Sequence, residues 1–126
     1  MTRLVFILFA FSLFGCSSTK ISDYKGTRPE LVMKDYFRGK FRAYGTVADR
    51  SGQVIRHFKA EIIASWKGEI GTLDESFTWN DGEKQKRVWT LKMTGEKTFE
   101  GTAGDVVGKA TGAVEGHALN MKYTLR

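Results

Sequence analysis

A nearly continuous apolar stretch, Leu4 to Phe14 with Ser12 as its one hydroxyl, opens the chain and has no later counterpart. From Phe37 onward apolar and polar residues alternate in runs separated by glycine-containing turns, the period-two signature of half-buried strands. The first run, Phe37 to Asp49, sets Phe37, Gly39, Phe41, Ala43, Gly45 and Val47 against Arg38, Lys40, Arg42 and Tyr44. Ser51-Gly52 turns into Val54 to Trp66, where Phe58, Ala60, Ile62, Ala64 and Trp66 share a face. Lys67-Gly68-Glu69 leads to Leu73 to Asn80, with Leu73, Glu75, Phe77 and Trp79 on one side. Asp81-Gly82 is a strong hairpin signal, and Lys86 to Thr94 then aligns Arg87, Trp89, Leu91 and Met93. Three shorter runs, Thr98 to Ala103, Lys109 to Glu115 and His117 to Leu125, complete the series. The pattern predicts an all-β antiparallel up-and-down meander of about seven strands. Only Pro29 to Phe37 reads as helix, with Pro29 and Glu30 suited to a helix start and Leu31, Val32, Met33 and Tyr36 as its stripe.

Seven strands in succession leave two edges unless the sheet curls. Glycines inside the runs (Gly39, Gly45, Gly101, Gly112) favour strong bending, so a small lipocalin-like barrel is expected. The strands number one or two short of closure, and the chain ends at Arg126 directly after an apolar run. Either an early segment supplies a further strand or the chain is a truncated product of a longer reading frame; the second is the favoured expectation, since an open barrel would leave Leu119, Met121, Tyr123 and Leu125 on an unpaired edge.

The opening apolar stretch covers about 16 Å as a helix, roughly half a bilayer core, and follows a short positive start with Arg3, so it reads as a signal-peptide hydrophobic region. It ends in Leu13-Phe14-Gly15-Cys16, which resembles a bacterial lipobox, with Phe14 bulkier than the residue usual there. That resemblance implies that Cys16 becomes the first residue of the mature protein and carries acyl chains that hold it on a membrane. Ser17 then implies release to the periplasmic face of the outer membrane. The expected organisation is a signal peptide over 1–15, a lipidated Cys and polar tether over 16–28, and one β-barrel-like domain over 29–126.

Composition narrows the function classes. The chain has 126 residues, one Cys, two His and net charge +6. One Cys cannot form an intramolecular disulfide, and two His with one Cys cannot supply a four-ligand Cys/His zinc cage. The Lys and Arg are scattered and match no nucleic-acid motif, so no nucleic-acid partner is expected. The densest group, Arg38, Lys40 and Arg42, has strand spacing and forms one solvated face.

Several stretches together carry a wider resemblance: Asp49-Arg50-Ser51-Gly52, Gly71 to Phe77, Asp81-Gly82-Glu83, Arg87-Val88-Trp89, Gly101 to Gly112 and Tyr123-Thr124-Leu125. They resemble a family of uncharacterised bacterial lipoproteins known only as a domain of unknown function. The resemblance runs from about Tyr36 to the end of the chain and implies a lipocalin-like fold with no established activity, cofactor or catalytic residue. The family pattern continues past Tyr123-Thr124-Leu125, and Tyr44 stands where it has Trp.

Candidate chemistry centres on Glu75 and Arg87, two charges on otherwise apolar faces of adjacent strands. An odd-length Asp81-Gly82 loop with Leu73 facing Leu91 sets Glu75 diagonal to Arg87. They then form either an ion pair plugging one barrel end or a polar anchor for a ligand headgroup. Asp105, in the Gly104 to Gly108 loop, is expected to cap its own backbone. No nucleophile–base pair is visible, so neither an enzyme nor a cofactor is expected. The leading expectation is non-catalytic binding of a hydrophobic molecule such as a fatty acid or lipid, through Phe58, Ile62, Trp66, Phe77, Trp79 and Trp89 with Glu75 and Arg87 as the polar anchor. The alternative is an interaction protein holding envelope polymers or a partner protein through a basic outer face that includes Arg38, Lys40, Arg42 and Lys59.

Overall fold

The computed structural model describes residues 18–126; the expected signal segment and Cys16 lie outside them. Seven antiparallel strands form one sheet in chain order: β1 (Gly39–Ala48), β2 (Val54–Lys67), β3 (Ile70–Trp79), β4 (Lys84–Met93), β5 (Thr98–Thr102), β6 (Val106–Glu115) and β7 (Ala118–Leu125). The sheet curls into an open half-barrel. Among the described residues β1 pairs only with β2 and β7 only with β6, so both remain edges.

The alternation seen along the chain sets the two faces. The inner face gathers Ala60, Ile62, Ala64, Leu73, Phe77, Trp89, Leu91, Phe99, Ala110 and Val114 into one buried cluster with Met33 and Val106. Gly45 and Gly112, two of the glycines expected to bend the strands, have a second role that Gly71 shares. Gly45 pairs with Phe58, Gly71 with Trp66 and Gly112 with Phe99 across neighbouring strands. In each pair the ring lies flat on the glycine: a Cβ built on Gly45 would meet Phe58 at 2.5 Å and one on Gly71 would meet Trp66 at 2.8 Å. The missing side chain makes room for a whole aromatic ring. Gly39 differs, because it starts β1 with φ +74°, where only glycine sits without strain.

The predicted helix shrinks to one turn, α1 (Met33–Tyr36). Pro29 follows a cis peptide ahead of it. The Leu31 N–H donates to the Gly116 carbonyl at 2.7 Å, which holds residues 29–31 against the β6–β7 turn instead of in a helix. Val32 and Tyr36 of the predicted stripe are exposed, whereas Met33 is buried among the strands. Residues 18–37 thus form a strap across one end of the half-barrel. The Trp66 indole N–H donates to the Phe37 carbonyl at 2.8 Å, and the Thr27 hydroxyl accepts from the His117 N–H at 3.0 Å.

Strand limits differ modestly from the sequence reading. β3 begins at Ile70, because Ile70 and Gly71 pair with Lys92 and Leu91. β6 begins at Val106 inside the expected Gly104–Gly108 loop, with an irregularity between Val107 and Thr111 that absorbs Gly108.

Candidate functional site

The strap closes the end of the half-barrel where β1 starts and β2 ends. The other end holds the polar residues of the inner face. The β3–β4 hairpin closes with the Trp79 N–H donating to the Glu83 carbonyl at 3.0 Å, around a turn in which the Asp81 carboxylate accepts from the Glu83 N–H. That turn sets Leu73 opposite Trp89 and Glu75 directly opposite Arg87. The expected diagonal placement was two residues out of register, because the pairing extends closer to Asp81-Gly82 than periodicity alone indicates.

Arg87 and Glu75 nevertheless do not form the expected ion pair. Arg87 turns to the β5–β6 loop, where its Nε donates to Asp105 Oδ1 at 3.0 Å and its Nη2 to Asp105 Oδ2 at 2.8 Å. This two-point pairing matches the planar guanidinium to the carboxylate. The Arg87 side chain is only 10 % exposed, and Asp105 holds its charge while Arg87 in turn holds the Asp105 carboxyl below its usual range. Asp105 was expected to cap its own backbone; its carboxylate serves Arg87 instead, because a cation sunk among aromatic rings needs a counter-charge.

Glu75 is left with no such partner. Its Oε1 is buried and has no hydrogen bond among the described residues. Ile62 lies beside it on β2 and Arg87 beside it on β4. Burial pushes the Glu75 carboxyl up to about 7, partly offset by the Arg87 charge. Glu75 is therefore a carboxyl poised near neutrality, next to a guanidinium whose Nη1 has no hydrogen-bond partner among the described residues.

The apolar candidates divide into two groups. Ile62, Phe77 and Trp89 are packed in the protein's own core, and Trp66 braces the strap. Phe58 and Trp79 remain half-buried at the open end. Phe77 and Trp79 stack at 5.9 Å, Phe58 meets both edge-on, and the Arg56 guanidinium covers the Trp79 ring at 3.8 Å. Arg56 is fixed by Glu83 at 2.9 Å, and the Trp79 indole donates to Gln85 Oε1 at 2.9 Å. Arg56, Gln85 and Asp105 thus belong to this end of the molecule beside the residues picked out from sequence. An Arg on a strand's apolar face signals that an acid must meet it, but which acid depends on the β4–β5 connection.

Along the open side, Phe41, Ala43 and Val47 of β1 are half-buried, and Leu119, Tyr123 and Leu125 of β7 are exposed. Tyr123 meets Trp89 edge-on at 5.2 Å. The inner face thus combines a closed end, a polar cluster toward the open end and an apolar strip along its gap. At the closed end a hollow of about 480 Å³ lies between the strap and the β4–β5 turn, with Glu30, Glu69 and Glu96 offsetting Lys34 and Lys97. Among the described residues no three His, Cys, Asp or Glu side chains gather as a metal cage.

No match is found among the curated proteins or among the solved structures. The profile of a family described as "Protein of unknown function (DUF3833)" matches residues 10–126, nearly the whole chain, and the protein belongs to that family.

Proposed function

We propose that this is a lipid-anchored envelope protein, held on the periplasmic face of the outer membrane through Cys16, that binds an amphiphile without catalysing a reaction. The observation that carries the reading is the buried, unpartnered Oε1 of Glu75 beside Arg87 on an apolar inner face. A buried polar atom without a partner costs about 1–3 kcal/mol, which a ligand bonding to it recovers. A fatty acid fits this chemistry: its carboxylate accepts from Arg87 Nη1 and from the protonated Glu75 carboxyl. The apolar strip between β1 and β7 then receives the chain. The lipobox-like Leu13-Phe14-Gly15-Cys16 supports the anchor.

Native mass spectrometry of the purified protein, followed by organic extraction, tests the proposal. The expected result is a discrete apolar adduct that disappears in a folded Arg87→Ala variant. A clean unliganded mass from folded protein that also takes up no added fatty acid contradicts it.

A further inference from the structure

The outer face of β1–β4 is built differently from the rest of the surface. Two adjacent rows of side chains cross these four strands. Tyr44, Lys59, Thr78 and Lys84 stand in one, and Arg42, Glu61, Ser76 and Lys86 in the next, as the cross-strand register dictates. Alternate positions point the same way, so both rows share one face. They line a groove of about 630 Å³. Four cations meet a single carboxylate there, whereas the hollow under the strap is nearly balanced.

The cations are also unequally engaged. Lys86 pairs with Asp74 at 2.8 Å, and Lys84 donates to the Thr78 hydroxyl at 2.9 Å. Arg42 and Lys59 have no ion-pair partner among the described residues, and Glu61 lies 4.0 Å from Lys40. Ser76, Thr78 and Tyr44 add hydroxyl groups that can donate to anionic oxygens. Tyr44, at 73 % exposed, stands free at the groove's edge.

We propose that this groove binds a phosphate-bearing polyanion laid across β1 to β4. Strands stand about 4.8 Å apart, so Arg42 on β1, Lys59 on β2 and the Lys84/Lys86 pair on β4 spread positive charge over about 14 Å across the sheet, a span that a chain of linked phosphates covers and a single phosphate does not. A groove also suits a chain better than a flat membrane surface. Replacing a polyanion's condensed counterions with fixed cations makes such binding salt-dependent. The inference is independent of ligand binding on the inner face, since Arg42 and Lys59 lie on the opposite side of the sheet from Glu75 and Arg87.

Linear inorganic polyphosphate, titrated into the full protein at several salt concentrations, serves as the probe. The Arg42→Glu/Lys59→Glu variant is expected to weaken binding at least tenfold, while Lys109→Glu/Lys122→Glu, with the same change in net charge on β6 and β7, changes it less than twofold. Circular dichroism confirms that both variants fold. Equal losses in the two variants would reduce the effect to net charge and overturn the proposal. So would unaltered polyphosphate binding in Arg42→Glu/Lys59→Glu, whether or not that variant loses binding to vesicles containing phosphatidylglycerol.

Discussion

Folding strips water from the Glu75 carboxyl, whose Oε1 finds no donor among the described residues, so the ionised form is disfavoured and stability depends on pH in a specific direction. The folded-state value is raised, from an ordinary 4.5 to about 7, so the folded protein holds this proton more tightly than the unfolded chain does. The stabilisation linked to it is complete below about pH 4.5 and is lost as pH rises through 7. Glu75→Gln keeps the shape and removes the titration. Urea denaturation of both proteins from pH 4 to 8.5 is expected to show Glu75→Gln gaining on the order of 2 kcal/mol relative to the parent across that range. A constant difference would mean that Glu75 ionises freely in the folded state. Asp105 behaves oppositely: Arg87 lowers its value, so its contribution is present at neutral pH and lost only as the solution becomes strongly acidic.

At the level of strands, the glycine–aromatic pairs set how tightly the sheet curls. Phe99 lies so close over Gly112 that a Cβ cannot be added without moving the ring. Gly112→Ala is expected to destabilise the protein by about 2–3 kcal/mol, as overpacking does. In a Phe99→Ala background the same change should cost less than about 0.5 kcal/mol, a coupling that a double-mutant cycle in urea measures. Strand positions and faces were legible from period-two alternation, since Phe58 to Trp66 and Leu73 to Trp79 each present one apolar side. The ring-on-glycine contacts were not, because alternation gives the face of a residue but not its cross-strand neighbour. The same gap hid the partner of Arg87. Its place on an apolar face was readable, but Asp105 reaches it through the β4–β5 connection and a five-residue strand, whose geometry leaves no periodic trace. The helix was over-read for a related reason: Pro29 and Glu30 favour a helix start locally, yet the Leu31 bond to Gly116 joins two segments far apart in sequence.

Across the whole molecule, a strap seals one end of a half-barrel, aromatic residues and a half-buried acid–base cluster stand toward the other, and an apolar strip follows the gap between the edge strands. If the inner face binds an amphiphile as proposed, fatty-acid affinity depends on pH. In the proposed complex a protonated Glu75 donates to the ligand carboxylate below pH 7; above it, two carboxylates face each other beside Arg87. Hexadecanoate binding, followed by quenching of Trp fluorescence, is expected to weaken about tenfold between pH 6 and 8.5, equivalent to about 1.4 kcal/mol, and to lose that dependence in Glu75→Gln. Absence of binding at any pH, or the same pH dependence in Glu75→Gln as in the parent, would overturn amphiphile binding at the Glu75–Arg87 end of the inner face.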